Sequence, residues 1–379
     1  MAYGKKNSIT LDPLRFSLGL LGESKAGKTS LIYEYCKIVG GEDCYLFAEI
    51  GSERGCDAIS GVNYINTPTW NMDEYDSFNN AIGFCDLCED IIENKQSQYP
   101  KLRCLVWDSY DQAIDIAEKE AVRLYNKQQR EHNKPQVKSI LESWGGFGRG
   151  EKKAMELMFD LRDRLLAVGV QSIFIGHCKR KEVVDVTSGS TYLTLTSDQQ
   201  QNYFNKLKKD LHFLALLYVD REIVSEGSGK DKINRLKKET RKIKFRDDSY
   251  VIDSGSRFAD IVPEIECDAQ QFAKAIKDAI EAEAKKGGQD IEVSKAEDAA
   301  RLAERQKEIA EAEAEHKKQK ELDNAIDKIR DFIAICKENK DADKAKSLIA
   351  KAKELNYANP LDVTTLEDAQ TLLDYIESL

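Results

Sequence analysis

Apolar residues in the first 180 positions form short continuous runs separated by stretches with helical spacing. Nearly continuous apolar runs occupy residues 16–22, 44–50, 102–108 and 170–177. Between them, residues 72–94 and 154–168 repeat apolar positions every three to four residues, as amphipathic helices do. This order of strands and helices predicts right-handed crossovers and a mainly parallel sheet with helices on both faces. The fold class is therefore predicted to be α/β.

The pattern changes after the glycine pair at positions 287 and 288. Residues 293–322 are rich in Ala, Glu and Lys, which favours a long solvated helix or a weak coiled coil. Three short amphipathic helices are predicted beyond it, at residues 326–335, 345–355 and 366–376. We therefore predict three parts: an α/β domain over residues 1–285, a charged helical linker over 286–322 and an all-helical module over 323–379.

The connection between the first strand and the first helix carries a phosphate-binding motif. Residues 22–29 read GESKAGKT and match GxxxxGK[ST], in which the glycines let backbone N–H groups turn toward phosphate oxygens. Lys28 can neutralise the β- and γ-phosphates, and the Thr29 hydroxyl can ligate Mg²⁺ at the start of the helix. The alternative is an ordinary glycine turn. The predicted nucleotide contacts are Gly22, Glu23, Ser24, Lys25, Ala26, Gly27, Lys28, Thr29 and Ser30.

Three polar residues stand at the carboxyl ends of later predicted strands. Glu49 ends the second strand, and Asp108 follows four apolar strand residues in the Walker B arrangement, where it would meet the magnesium water shell opposite Thr29. The alternative for Asp108 is a helix cap. His177 ends a further core strand, where it could contact the γ-phosphate or the attacking water, or instead serve as a structural histidine.

Charge limits the kinds of partner. The 379-residue chain has a net charge of -10, so nucleic acid would have to bind at a local basic face. Residues 126–150 combine basic residues with glycines and aromatics, which suits either a base-stacking loop or a flexible surface insertion. Residues 230–246 are the most basic stretch, although such a run is usually a solvated face.

Cysteine usage and hydropathy suggest the compartment. The nine cysteines are an odd number, scattered, and mostly inside apolar runs, as expected for reduced thiols. The pair at positions 85 and 88 could be a metal or redox site, but no second pair accompanies it. No apolar run reaches the ~18 residues of a membrane span, and the amino terminus lacks a signal-peptide pattern. A cytoplasmic location without a membrane partner is predicted.

The order of these motifs resembles the RecA-like ATPases of tailed bacteriophages, a group that includes phage single-strand-annealing recombinases and is often labelled AAA-family ATPase. The phosphate loop is followed by LFAEIGSERG, CLVWDS, WGGFGRG, IFIGHCK and SRFADIVPEI, so the resemblance covers residues ~10 to ~285. It implies a RecA-like P-loop NTPase core, and the helical tail lies outside it.

The resemblance also implies roles for individual residues. Glu49 matches the glutamate that orients or deprotonates the attacking water, Asp108 the Walker B aspartate, and His177 the polar sensor, which is glutamine in many RecA proteins. Loops at 126–150 and 179–197 match the two DNA-binding loops. Arg257 stands near the place from which such proteins present a cation to the nucleotide of a neighbouring subunit, so a homo-oligomer is expected.

Three functions are compatible with these residues. The leading hypothesis is an ATPase that uses ATP and Mg²⁺ and acts on single-stranded DNA in recombination or replication. Its tail would bind a single-strand-binding protein or another replication or recombination protein. The alternative is a nucleotide-dependent switch that recruits a partner through the tail without touching DNA. A small-molecule kinase is a third possibility, with residues 230–246 as a poor candidate for its lid.

Overall fold

A computed structural model of the chain describes residues 7–184, 189–226, 233–247, 252–339 and 341–379. The chain divides into two compact units, Met1–Arg305 and Gln306–Leu379. The division falls inside the predicted linker at 286–322. Among the described residues, no helix combines the length and the apolar character that crossing a membrane requires.

The first unit is built around a ten-stranded mixed sheet. Its strands are β1 (Leu18–Gly22), β2 (Tyr45–Ile50), β3 (Tyr64–Thr67), β4 (Cys104–Asp108), β5 (Gln171–Val184), β6 (Thr191–Ser197), β7 (Phe213–Glu226), β8 (Ile233–Lys244), β9 (Gly255–Ser256) and β10 (Glu264–Glu266). The order is β10-β8-β7-β1-β5-β4-β2-β3, with β6 paired to β5 and β9 to β7. The six strands from β7 to β3 in this order are parallel to one another, and the remaining pairings are antiparallel. The predicted α/β class with a mainly parallel sheet is confirmed.

Helices cover both faces of this sheet. They are α1 (Lys28–Gly40), α2 (Phe84–Glu93), α3 (Tyr110–Glu131), α4 (Arg149–Ala167), α5 (Gln201–Asp210) and α6 (Ala269–Lys286). Strand residues alternate between two apolar layers: Trp107 packs in the layer with α2 to α5, whereas Val106 packs in the layer with α1 and α6. Because both faces are covered, the buried parts of the parallel strands are apolar on both faces, as in residues 104–107 of β4.

The carboxyl ends of the parallel strands meet at one edge of the sheet. Gly22 at the end of β1 is the register partner of His177 in β5, and Glu49 at the end of β2 is the partner of Asp108 at the end of β4. The phosphate loop follows β1 directly, so these polar residues lie beside it. Ligands bind at this edge in open α/β sheets.

One helix is shorter in the structure than the spacing of apolar residues predicts. Residues 72–94 were expected to be helical, but α2 begins only at Phe84. The carboxylate of Asp76 accepts hydrogen bonds from the amides of Phe78 and Asn79, and this local turn competes with helix formation.

The helical tail contains α7 (Ile291–Glu338), α8 (Ala342–Glu354) and α9 (Leu366–Glu377). The helix predicted at 326–335 is part of the continuous α7, whereas the other two are close to their predicted bounds. Thr365 caps α9 by accepting a hydrogen bond from the amide of Asp368, which is one of the two bonds of a capping box. Leu322, Ile329 and Leu348 are among the residues of a small apolar core in the second unit.

Candidate active site

The loop between β1 and α1 has the geometry of a phosphate cradle. A Cβ atom on Gly22 would lie 2.8 Å from the carbonyl oxygen of Leu217, so only glycine fits there. Gly27 has φ +99° and ends the loop as the residue before the first turn of α1. Its left-handed backbone turns the chain into the helix, whose N-terminus carries partial positive charge. The loop can therefore bind an anion at the amino end of α1.

Lys28 points its ammonium group back over this loop. Its Nζ donates to the carbonyl oxygens of Gly22 and Glu23, each at 3.1 Å, and the side chain is buried. Burial lowers the pKa of Lys28, and the nearby Asp108 carboxylate opposes that shift. The lysine is thus positioned to meet phosphate oxygens at the loop.

Thr29 and Asp108 form the part of the site that could hold a metal ion. The Thr29 hydroxyl donates to Oδ2 of Asp108 at 2.7 Å, and burial raises the pKa of Asp108 to about 6. A Cβ atom on Gly55 would lie 2.8 Å from Thr29 Oγ1 and 3.4 Å from Asp108 Oδ2. The glycine therefore keeps space open beside two oxygen donors, as Mg²⁺ needs. Among the described residues no group of three or more His, Cys, Asp or Glu could hold a metal, so phosphate and water would supply the remaining ligands.

Glu49 is fully buried beside this pair. Its Oε1 accepts a hydrogen bond from the amide of Cys56 at 2.5 Å, whereas Oε2 has no partner. Burial raises the pKa of Glu49. The elevated pKa suits this carboxylate to accept a proton, but solvent does not reach Oε2 in this structure, so the attacking water would have to enter with the nucleotide.

His177 is held by an acidic residue that the sequence analysis did not single out. Oδ2 of Asp111 accepts a hydrogen bond from the His177 backbone amide at 2.6 Å and lies 2.8 Å from the ring Nδ1. The hydrogen bond with Asp111 raises the pKa of His177 despite partial burial. Asp111 fixes the orientation of the imidazole at the carboxyl edge.

Glu53 is a second acidic residue that the sequence analysis missed. Its Oε1 accepts a hydrogen bond from the Ser109 hydroxyl at 2.9 Å and lies 4.0 Å from Nδ1 of His177. Both omissions had a local signal: Glu53 follows Glu49 by four residues, and Asp111 follows Asp108 by three. An acidic residue that follows a strand end within a few positions lies at the same edge of the sheet as that strand end.

The structure places Arg257 away from this site. Its Nε donates to the carbonyl of Leu211, and its backbone amide donates to His212 beside the amino end of β7. The phosphate loop lies at the carboxyl end of β1, level with Leu217 of β7 and away from the amino end of β7. Arg257 therefore does not reach the loop of its own chain, and its predicted contact with a neighbouring subunit remains a prediction.

The two predicted DNA-binding loops have different structures. Within 126–150, α3 continues to Glu131, and the exposed ring of Phe147 follows a turn in which the Trp144 indole donates to the carbonyl of Ala121. The Trp144 side chain is therefore held against α3, whereas the Phe147 ring is exposed to solvent. The 179–197 segment is a hairpin of β5 and β6 whose residues 185–188 lie outside the described residues. Within the basic run, residues 230–232 also lie outside them.

Comparison with known proteins places the chain in a family. The model of the AAA domain family AAA_24 matches residues 15–246, which is more than half of the chain. The match contains strands β1 to β8, the phosphate loop and the acidic residues around it. A search of curated proteins gave no significant match. The chain belongs to the AAA domain family AAA_24 and carries a P-loop ATPase domain.

Proposed function

We propose that this protein binds ATP with Mg²⁺, hydrolyses it, and couples the cycle to single-stranded DNA in recombination or replication. The observation that carries the hydrolytic part is the convergence of Lys28, Thr29 and Asp108 at one loop, with the buried Glu49 on the neighbouring strand. We also infer that the core belongs to the RecA-like class of P-loop ATPases.

Each residue of the site has a different role in the proposed hydrolysis. The loop amides and Lys28 bind the phosphates and stabilise the negative charge that develops on them. A magnesium ion held by Thr29 and Asp108 would neutralise further phosphate charge when bound. Oε2 of Glu49 orients water and accepts its proton, while His177, fixed by Asp111, contacts the γ-phosphate side of the site.

Replacement of Lys28 tests the hydrolytic part. Lys28→Ala should reduce the rate of phosphate release at least a hundredfold while the thermal unfolding midpoint stays close to that of the parent. Lys37→Ala is the matched control, because Lys37 lies on the same helix and pairs with Glu42 instead of facing the loop. Hydrolysis by Lys28→Ala at the parent rate would show that the site is wrongly assigned.

Two features support contact with single-stranded DNA. Phe147 is fully exposed on a loop next to Arg149, and exposed aromatic rings beside cations bind bases by stacking. The β5 and β6 hairpin adds exposed cations, among them Arg180. These groups would meet the DNA backbone locally although the whole chain is acidic.

A salt titration of oligonucleotide binding separates this proposal from the alternative switch. With an ATP analogue bound, single-stranded DNA affinity should fall steeply with salt, and Phe147→Ala should weaken it about tenfold. Leu141→Ala is the control, because Leu141 is an exposed apolar residue of the same segment. Absence of binding at low salt would favour a switch that recruits a protein through its helical tail.

A further inference from the structure

The β7 and β8 hairpin extends past the end of β1 and runs alongside the phosphate loop. At the level where β1 ends, Gly22 pairs with Leu217, and Leu217 pairs with Ile243. Strand β1 stops there, but β7 continues to Glu226. Residues of the hairpin beyond Leu217 therefore stand at the height of the loop that follows Gly22.

Arg241 is the residue of β8 that faces this loop. It pairs with Val219, two positions beyond Leu217, and alternation along the strand gives it the same face as Ile243. Ile243 is buried in the apolar layer that also contains α1 residues. A Cβ atom on Gly27 would lie 3.4 Å from Nη1 of Arg241, so the guanidinium lies beside the amino end of α1.

Two other cations of the hairpin whose side chains the structure describes are paired with acidic groups. Arg221 lies 3.4 Å from Glu239 and 3.8 Å from Glu23 of the phosphate loop. Lys242 lies 3.1 Å from Asp220 on the opposite face of the sheet. Arg241 is exposed, and among the described residues no carboxylate forms an ion pair with it. A guanidinium group without an ion-pair partner among the described residues thus lies next to a loop whose amides and helix N-terminus already favour anions.

We propose that Arg241 binds a phosphate group of the nucleoside triphosphate held in the loop of its own chain. The inference rests on the proposed nucleotide site and adds to it a cation supplied in cis. Guanidinium is permanently charged and donates several hydrogen bonds in a fixed plane, which matches phosphate oxygens. Its charge stabilises the bound triphosphate and the charge that develops during hydrolysis.

Substitution of Arg241 tests the contact. Arg241→Gln should weaken binding of a fluorescent ATP analogue, or lower kcat/KM for ATP, by roughly tenfold to a hundredfold, the range for a charge-assisted hydrogen bond. Arg241→Lys should recover part of the loss because it keeps the charge. Lys242→Gln is the control, because this cation is adjacent in sequence but lies on the opposite face. Parent-like affinity and kcat/KM in Arg241→Gln would overturn the proposal.

Mixing two variants tests whether the arginine acts in cis. Equal amounts of Lys28→Ala and Arg241→Gln chains should show only the sum of their separate activities. If the arginine instead served a neighbouring subunit, mixed assemblies would regain sites with both groups intact, and the restored activity would overturn the assignment in cis. Parent-level hydrolysis by Lys28→Ala alone would refute the nucleotide site itself. Failure of the proposed function can therefore be distinguished from failure of the Arg241 assignment.

Discussion

The Thr29 hydroxyl donates a hydrogen bond to Oδ2 of Asp108 over 2.7 Å, although 79 positions separate the two residues in the chain. The bond joins the first turn of α1 to the end of β4. A Cβ atom on Gly55 would intrude beside both oxygens, so the loop after β2 also helps to shape this site. Three separate segments thus leave a space lined by oxygen donors that suits a hard cation.

The buried carboxyl group of Asp108 should reduce the stability of the metal-free protein at neutral pH. Its pKa of about 6 lies above the ordinary value of 3.8 because burial disfavours the charge. The loss of unfolding free energy caused by this buried charge is therefore fully present above pH 6 and disappears as the pH falls toward 4. Asp108→Asn should raise the free energy of unfolding by up to about 3 kcal/mol at pH 7.5, and by much less at pH 4.5.

Urea unfolding at both pH values, with nucleotide absent and a chelator present, measures this difference. The same variant should lose magnesium-dependent ATP hydrolysis, because the amide cannot supply the carboxylate charge. A stability difference that does not change with pH would contradict the argument from burial.

Gly55 should be needed for metal affinity and not for backbone geometry. Its φ of -68° and ψ of -35° are accessible to alanine, but the added Cβ would lie 2.8 Å from Thr29 Oγ1. Gly55→Ala should therefore raise the Mg²⁺ concentration for half-maximal ATPase activity at least tenfold, with the fold preserved. Gly255→Ala is the control, because a Cβ there meets nothing within 4 Å. Equal magnesium dependence in the two variants would show that the space beside Gly55 is not used by the ion.

The phosphate loop and the strand ends could be predicted from sequence because both depend on local order. GESKAGKT encodes its own backbone turns, and the apolar runs before Glu49 and Asp108 mark where strands end at a common edge. By contrast, Arg241 comes beside Gly27 only through the pairing of β8 with β7, which local patterns do not specify. Arg257 lies in the SRFADIVPEI motif of the family resemblance. The pairing of β9 with β7 nevertheless places it beside the amino end of β7, at the edge of the sheet opposite the phosphate loop.

The two glutamates near the site should differ in their effect on hydrolysis. Oε2 of Glu49 is buried and unpartnered beside Asp108, whereas Oε1 of Glu53 already accepts the Ser109 hydroxyl. Glu49→Gln should lower single-turnover hydrolysis on the order of a hundredfold or more and leave ATP binding intact, because only proton transfer is lost. Glu53→Gln keeps an oxygen acceptor for Ser109, so its loss should be about tenfold or less.

Rapid-quench measurements with saturating nucleotide separate chemistry from binding for both variants. A larger loss in Glu53→Gln than in Glu49→Gln would transfer the water-activating role to Glu53. Circular dichroism of each variant controls for misfolding.

The position of a carboxyl-terminal truncation should decide whether the first unit stays stable. Gln289 accepts a hydrogen bond from the amide of Ile9 at 2.7 Å, and Asp298 accepts one from the amide of Leu11 at 2.6 Å. These bonds hold the amino-terminal segment against residues beyond the predicted domain end at 285. A chain ending at residue 305 should therefore keep the ATPase rate and the melting temperature of the catalytic unit. A chain ending at 288 should melt several degrees lower, because it loses about 1 kcal/mol for each bond.

Differential scanning fluorimetry and phosphate release on both truncated chains test this expectation. Full-length protein carrying Gln289→Ala and Asp298→Ala is the matched control, because it removes the same hydrogen bonds without removing the helix. Its first unit should lose stability in the same direction as the chain ending at 288. If both truncated chains melted at the same temperature, the contacts of Ile9 and Leu11 would be irrelevant to stability, and residue 288 would serve equally well as the end of the catalytic unit.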